Sequence, residues 1–396
     1  MRINTILALV AATATLQVFA ISPGEAADVI LSRNGDFIAA FTSLNAANLD
    51  AKTMANFPDP EIEGGYKFAP AGEDNRWDIG ISYSMEWPGV YGARRNMAKA
   101  MENGNNTELN ALAAALRLEI LERIEEYLLA DRKMSLMSSM ASATDSLRLV
   151  TEKAVRGGQM SRIDLAKISL EQGRLKTLLA SAQNDLDRAE GELQALNGGY
   201  DCKAILETID RKDNRQALLP EKHYLEGVEN NPEFLKSMAE FMSAQRSETV
   251  VKAEALPSLK VGYSHDFEDG MHFNGASLGV SVPIFSNRGK AKAAKAAVAA
   301  AEQKMVLVTD RTEAQVKSLY RQVGELDESL KTPDEIFSTT DYPTLLLKAL
   351  KGGEISLTEY LQERNWFFES HLDYLELQTR RAIAMHSLQS LTSPRP

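Results

Sequence analysis

Residues 156–167 read RGGQMSRIDLAK, and residues 351–362 read KGGEISLTEYLQ. In both stretches two glycines stop a long helix-like pattern, and a serine followed three residues later by an acid restarts it. Gly157-Gly158 and Gly352-Gly353 suit a helix end, because glycine accepts the left-handed conformation found there. Ser161 with Asp164, and Ser356 with Glu359, have the spacing of a capping box, in which hydroxyl and carboxylate serve the free N–H groups of the next helix. Each stretch therefore predicts the tip of a helical hairpin, and the chain makes the same tip twice.

Working outward, the whole chain repeats. At an offset of 197 residues it overlays itself without a gap from Asn34 to Ala100. Asn34 meets Asn231, Phe37 meets Phe234, Pro60 meets Pro257, and Gly65-Tyr66 meets Gly262-Tyr263. Near the tips the offset becomes 195. So long a period means two copies of one large unit, because solenoid repeats run ~20–50 residues. The expected organisation is a signal peptide at 1–26, a first repeat at 27–200, a linker at 201–230 and a second repeat at 231–396. The first repeat would hold a short helix (34–57), a β-hairpin (60–87), a long helix (93–156), a tip (157–161) and a helix (161–196). The second would hold a helix (231–256), a β-hairpin (257–285), a long helix (291–350), a tip (352–356) and a helix (356–393).

The helices carry a coiled-coil pattern. Leu165, Ile168, Gln172, Leu175, Leu179, Ala182, Leu186, Ala189, Leu193 and Leu196 recur at steps of three and four. A helix over 93–156 would be about 96 Å long, more than a compact domain of this size can hold. Two short helices stacked end to end beside one long helix would solve the length problem. The segment KTPDEIFSTTDYP, residues 331–343, contains Pro333 and Pro343. An interior proline costs roughly 3 kcal/mol, so a loop or bend is expected there.

The strands alternate. In WDIGISYSMEW, residues 77–87, one face carries Ile79, Ile81, Tyr83, Met85 and Trp87, and the other carries Gly80, Ser82, Ser84 and Glu86. The second copy sets Leu278, Val280 and Val282 against Gly279 and Ser281. A sheet half-buried on helices accounts for this. A bilayer accounts for it as well, given strand length and the aromatics Trp77, Trp87, Tyr91 and Phe285 near the strand ends. Four strands do not close a barrel, and lipid does not tolerate open edges, so a membrane role demands several copies.

Composition narrows the function. The net charge is −11, with no basic patch to hold nucleic acid. The one cysteine, Cys202, rules out a disulfide framework or a Cys-based metal site. Arg2, an apolar run from Ile6 to Ile21, and small residues near Gly24 and Ala26 read as an export signal. No later run approaches the ~20 apolar residues of a membrane-spanning helix. No catalytic or phosphate-binding motif is present, and no cofactor is expected. The segment HDFEDGMH, residues 265–272, gathers His265, Asp266, Glu268, Asp269, Met271 and His272, which would suit a soft or borderline metal or form an ordinary polar loop.

The ordered set of motifs resembles the TolC-like outer-membrane efflux family over about 30–393, most closely its heavy-metal and resistance-nodulation-division branch. It comprises the signal, the duplication, NPEF, PDPEIEGGY, LPSLKVGY, EWPGVYGARR, VPIFSNRGK and the two Gly-Gly tips. The resemblance implies a mainly α fold with a small β part, and a homotrimer with a 12-stranded barrel on a helical barrel. It implies an exit duct in the outer membrane of a Gram-negative bacterium, working with a periplasmic adaptor and an inner-membrane pump. The adaptor would dock, and the duct would gate, at Gly157, Gly158, Ser161, Arg162, Asp164, Gly352, Gly353, Ser356 and Glu359. The strand faces would meet outer-membrane lipid on one side and the lumen on the other. Where well-known members carry an arginine two residues after the second tip glycine, this chain has Ile355. It also lacks the cysteine that anchors lipidated members. The alternative, from another class, is a periplasmic coiled-coil scaffold or adaptor whose sheet packs on its own helices.

Overall fold

The computed structural model describes residues 20–70, 75–211 and 215–392; most of the expected signal peptide lies outside them. Ten α-helices and four strands follow in chain order among the described residues. They are α1 (Pro23–Arg33), α2 (Gly35–Thr53), β1 (Glu61–Lys67), β2 (Arg76–Met85), α3 (Pro88–Arg156), α4 (Arg162–Leu196), α5 (Lys203–Glu207), α6 (Glu221–Glu226), α7 (Pro232–Ala253), β3 (Ser258–Glu268), β4 (Met271–Ser281), α8 (Lys290–Thr339), α9 (Tyr342–Gly352) and α10 (Leu357–Ser390). The chain divides into two units. One takes the chain up to Ala39, Leu112–Val228 and everything from Thr312; the other takes Ala40–Ala111 and Glu229–Arg311.

The first unit is wholly helical in its regular structure. Its α4 seam is the one read from the sequence: Ile168, Leu175, Ala182 and Leu193 are buried, and the other seam positions are half-buried. One core joins Ala26, Ala27 and Ile30 of α1 to Ile120 and Ile124 of α3 and to Leu193. A second joins Val316 and Val323 of α8 to Ala384, Met385 and Leu388 of α10. A third packs Met140, Leu175 and Phe368 together, so side chains of both repeats share it.

The segment 197–230 is more than a polar linker. Cys202, Leu206 and Ile209 complete the first core, and Tyr224 and Val228 complete the second. The apolar residues are too sparse there to produce a period, yet these five are buried. The segment before α2 also holds an unexpected element, since α1 starts at Pro23, inside the stretch read as signal peptide.

The expected break within 331–343 is present, but it does not fall at Pro333. α8 runs through Pro333 and ends at Thr339. One proline removes one backbone hydrogen bond, and an otherwise satisfied 50-residue helix absorbs that. The stop comes at Thr340-Asp341, where the Asp341 side chain accepts from the Thr344 N–H at 3.3 Å and Pro343 occupies the first turn of α9.

The second unit contains one antiparallel sheet in the order β1-β2-β3-β4. The hairpins of the two repeats join through β2 and β3, with Trp77 opposite Phe267 and Met85 opposite Leu259. β3 turns into β4 through Asp269 and Gly270, both at positive φ (52° and 76°), the geometry of a tight hairpin turn. Glu86, Trp87 and Val282, read as strand residues, lie just past the ends of β2 and β4. Pro88 opens α3 directly, so the long helix begins five residues before the expected 93.

Candidate transport surface and helical tips

Register sorts the sheet into two faces, since side chains alternate with period two. One face carries Ile79, Ile81, Tyr83 and Met85 of β2. Leu259, Val261 and Tyr263 of β3, and Leu278 and Val280 of β4, stand on it in the paired rows. Tyr83, Met85 and Leu259 are half-buried, and the rest of these apolar groups are uncovered: Leu278 is 76% exposed and Ile62 of β1 73%. Toward the β3–β4 turn the face ends in Tyr66, Trp77 and Phe267, which share a row with His272. The other face carries Gly80, Ser82, Ser84, Gly262, Ser264, Ser277, Gly279 and Ser281, with the charges Glu61, Glu63, Asp78, Lys260 and Asp266. Lys260 and Glu61 pair there at 3.4 Å, and Arg76 pairs with Glu268. A Cβ on Gly65 would lie 2.5 Å from a carboxylate oxygen of Asp78, so glycine is what lets that acid lie across β1.

At the other end of the sheet, Glu86 serves a join. The Arg94 guanidinium donates to Glu86 at 2.9 Å and to Glu254 at 2.7 Å, and the Asn287 side chain donates to the Glu254 carbonyl at 2.8 Å. Glu86 is thus held by an arginine of α3 rather than standing on a strand face.

The segment 265–272 divides between the faces. His265 and His272 are neighbours, with ring nitrogens 3.1 Å apart, and His265 also bonds Asn274 at 2.7 Å. Asp266, Glu268 and Met271 point to the opposite face, and Asp269 sits in the turn. The six side chains therefore do not converge, and among the described residues no group of three or more His, Cys, Asp or Glu is placed to hold a metal.

The tips match each other bond for bond. Gly158 and Gly353 are left-handed at φ 74° and 73°. Behind them, Gln159 N–H donates to the Ala154 carbonyl at 2.8 Å and Glu354 N–H to that of Ala349 at 2.9 Å, the closing bond of a Schellman motif. Ser161 accepts from Asp164 N–H while the Asp164 carboxylate accepts from Ser161, and Ser356 and Glu359 do the same. The bonds to Ser356 hold the Glu359 carboxyl below the usual carboxylate range. Both tip acids are thus occupied by their own helices. Gly157 follows the last residue of α3 and Gly352 is the last of α9, Arg162 is exposed at the start of α4, and Ile355 is half-buried. The contact between the tips is made by Lys167, whose ammonium donates to the Thr358 hydroxyl at 2.7 Å.

Further along the hairpins lies a group that the sequence did not single out. Arg364 of α10 is 6% exposed, donates to the Thr144 hydroxyl of α3 at 2.8 Å and to Glu171 of α4 at 3.1 Å. Glu171 also takes two bonds from Arg174 at 2.9 Å. Burial opposes ionisation of Glu171, but Arg174 and then Arg364 outweigh it and hold its carboxyl below the ordinary range. The one signal in the sequence is an arginine on the stripe Tyr360-Arg364-Phe368, where an apolar residue is expected. Its partners lie some 200 positions away, beyond the reach of pattern.

No family model matches the chain. A cobalt-zinc-cadmium resistance protein, CzcC, of Cupriavidus metallidurans is 26% identical over 206 residues, which are 52% of this chain and 49% of the relative. The match thus spans about half the length of that relative. A crystal structure of CusC, described by its folding and transmembrane channel formation, superposes with a TM-score of 0.75 at 15% identity, covering 97% of this chain and 95% of the other. The open-state outer-membrane channel MtrE of Neisseria gonorrhoeae superposes at 0.71 and 15% identity, covering 96% and 94%. The fold is that of these two channel structures, as the resemblance to the TolC-like family implies.

Proposed function

We propose that the chain is one of three subunits of a passive exit duct of the bacterial outer membrane, a 12-stranded barrel continued by helices into the periplasm. The observation that carries the reading is the sheet. It has an exposed apolar face bounded by an aromatic row, an opposite face that is polar apart from Met271 and Phe273 near the β3–β4 turn, and open edges at β1 and β4. Exposed apolar strands with free edges are an aggregation hazard in water but what lipid and neighbouring copies require. The scaffold reading needs helices over that face, and the exposure of Leu278 and Ile62 counts against it. In the duct, Gly80, Ser82, Ser84, Gly279 and Ser281 line the lumen, and Ile79, Ile81, Tyr83, Met85, Leu278 and Val280 meet lipid.

The paired tips form the periplasmic mouth, where an adaptor docks and an inner-membrane pump delivers cargo. Divalent metal ions are the proposed cargo, on the strength of the CzcC relative's printed name. The test is density-gradient separation of inner and outer membranes, followed by conductance in planar bilayers. Outer-membrane location with stable single-channel steps is expected. Recovery in the soluble periplasmic fraction overturns the reading. Cargo is tested separately: deleting the gene should sensitise cells to cobalt, zinc or cadmium, and unchanged tolerance removes the metal assignment while leaving the duct.

A further inference from the structure

We infer that the leader is cut between Ala20 and Ile21, so that the mature chain begins at Ile21. The inference rests on the export reading and adds the bond that is broken. Among the places near the end of the apolar run with small or short aliphatic residues at the last and third-last positions of the leader, two differ in what the fold would lose. They are Val18-Phe19-Ala20 and Gly24-Glu25-Ala26. The second lies where composition alone sets the boundary.

The fold separates them. Ile21 is already built into the domain. Its N–H donates to the Thr208 carbonyl at 2.9 Å, and its carbonyl accepts from Asp210 N–H at 2.8 Å, in a parallel bridge to Ile209. Ser22 caps α1 in a full capping box with Glu25, and Pro23 takes the first helical position. Ala26 and Ala27 are both 0% exposed in the first core. A cut after Ala26 would remove the bridge, the cap, the first turn of α1 and a core side chain together. A cut after Ala20 removes none of them.

The step is a hydrolysis. Water adds to the Ala20 carbonyl, the bond to the Ile21 nitrogen breaks, the leader departs with the new carboxylate, and the Ile21 amine takes up a proton. That amine remains a donor to Thr208.

Intact-mass and N-terminal analysis of the protein purified from membranes of a Gram-negative host tests this. A first residue of Ile21 is expected. A start at Ala27, or at any other internal residue, overturns the site but leaves export standing; an uncut Met1 in the wild type overturns both. The variant Ala20→Tyr should leave the precursor uncut. Ala20 departs with the leader on either reading, so this variant does not alter the folded domain. Continued appearance of a mature chain from Ala20→Tyr overturns the inference.

Discussion

Arg364 shows what one residue contributes where α3, α4 and α10 meet. Its guanidinium is buried and faces Thr144 and Glu171, so truncation leaves the Thr144 hydroxyl without this donor and Glu171 with Arg174 alone. Removing one partner of a buried pair costs about 3 kcal/mol, so Arg364→Ala should lower Tm clearly. Arg364→Lys should recover little, because an ammonium cannot span both partners as a fork does; thermal unfolding of the purified protein measures both. Glu171 adds a pH dependence. Its folded pKa is lowered, so its contribution is fully present above the ordinary value of 4.5 and is lost as pH falls through the lower folded value. His371 behaves likewise at a higher pH. Burial lowers its pKa from 6.5, and it stacks on Phe337 with centroids 4.6 Å apart. The neutral ring favours folding above 6.5, and that advantage falls away as pH drops below it, because only the unfolded chain then takes up the proton. His371→Phe should flatten the Tm-against-pH curve on the acid side of 6.5.

Among elements, the tips and the strands were legible because their information is local. A Gly-Gly stop and a Ser-x-x-acid start need only neighbouring residues, and both tips form as read. Alternation in β2 and β4 likewise sets the faces without knowledge of the partner strand. The linker cores around Cys202 and Tyr224, and the bond of Arg364 to Glu171, were not legible, since each depends on residues distant in sequence. Pro333 misled for the opposite reason: its local penalty is real, but the helix around it outweighs it. The tips give a clean backbone test. A Cβ at Gly158 meets nothing within 4 Å, so Gly158→Ala should cost only the left-handed penalty, about 1–2 kcal/mol, read as a fall in Tm. For the strands, Leu278→Arg places a charge on the apolar face and should cost about 2–4 kcal/mol of insertion into lipid. Gly279→Asp, one residue on and opposite Lys260, should insert like the parent. Refolding into vesicles with urea titration separates the two, and equal sensitivity would contradict the face assignment.

For the whole molecule, the duplication and the mainly helical fold were visible in the sequence, while the joining of the two hairpins through β2 and β3 was not. In the proposed duct the edges at β1 and β4 pair with like neighbours. Native mass spectrometry from detergent should therefore give three times the mature mass, and a stable monomer would argue against the ring. The β2–β3 seam also bears on descent. A half-length ancestor with a single hairpin would have needed six identical subunits to supply as many strands, each with an identical tip. Fusion of two such halves makes one neighbour contact in every pair covalent. In the proposed trimer it would lower the symmetry from sixfold to threefold and free alternate tips to drift apart. Gln159-Met160 and Glu354-Ile355, set in otherwise identical turns, are the places where that drift is now written.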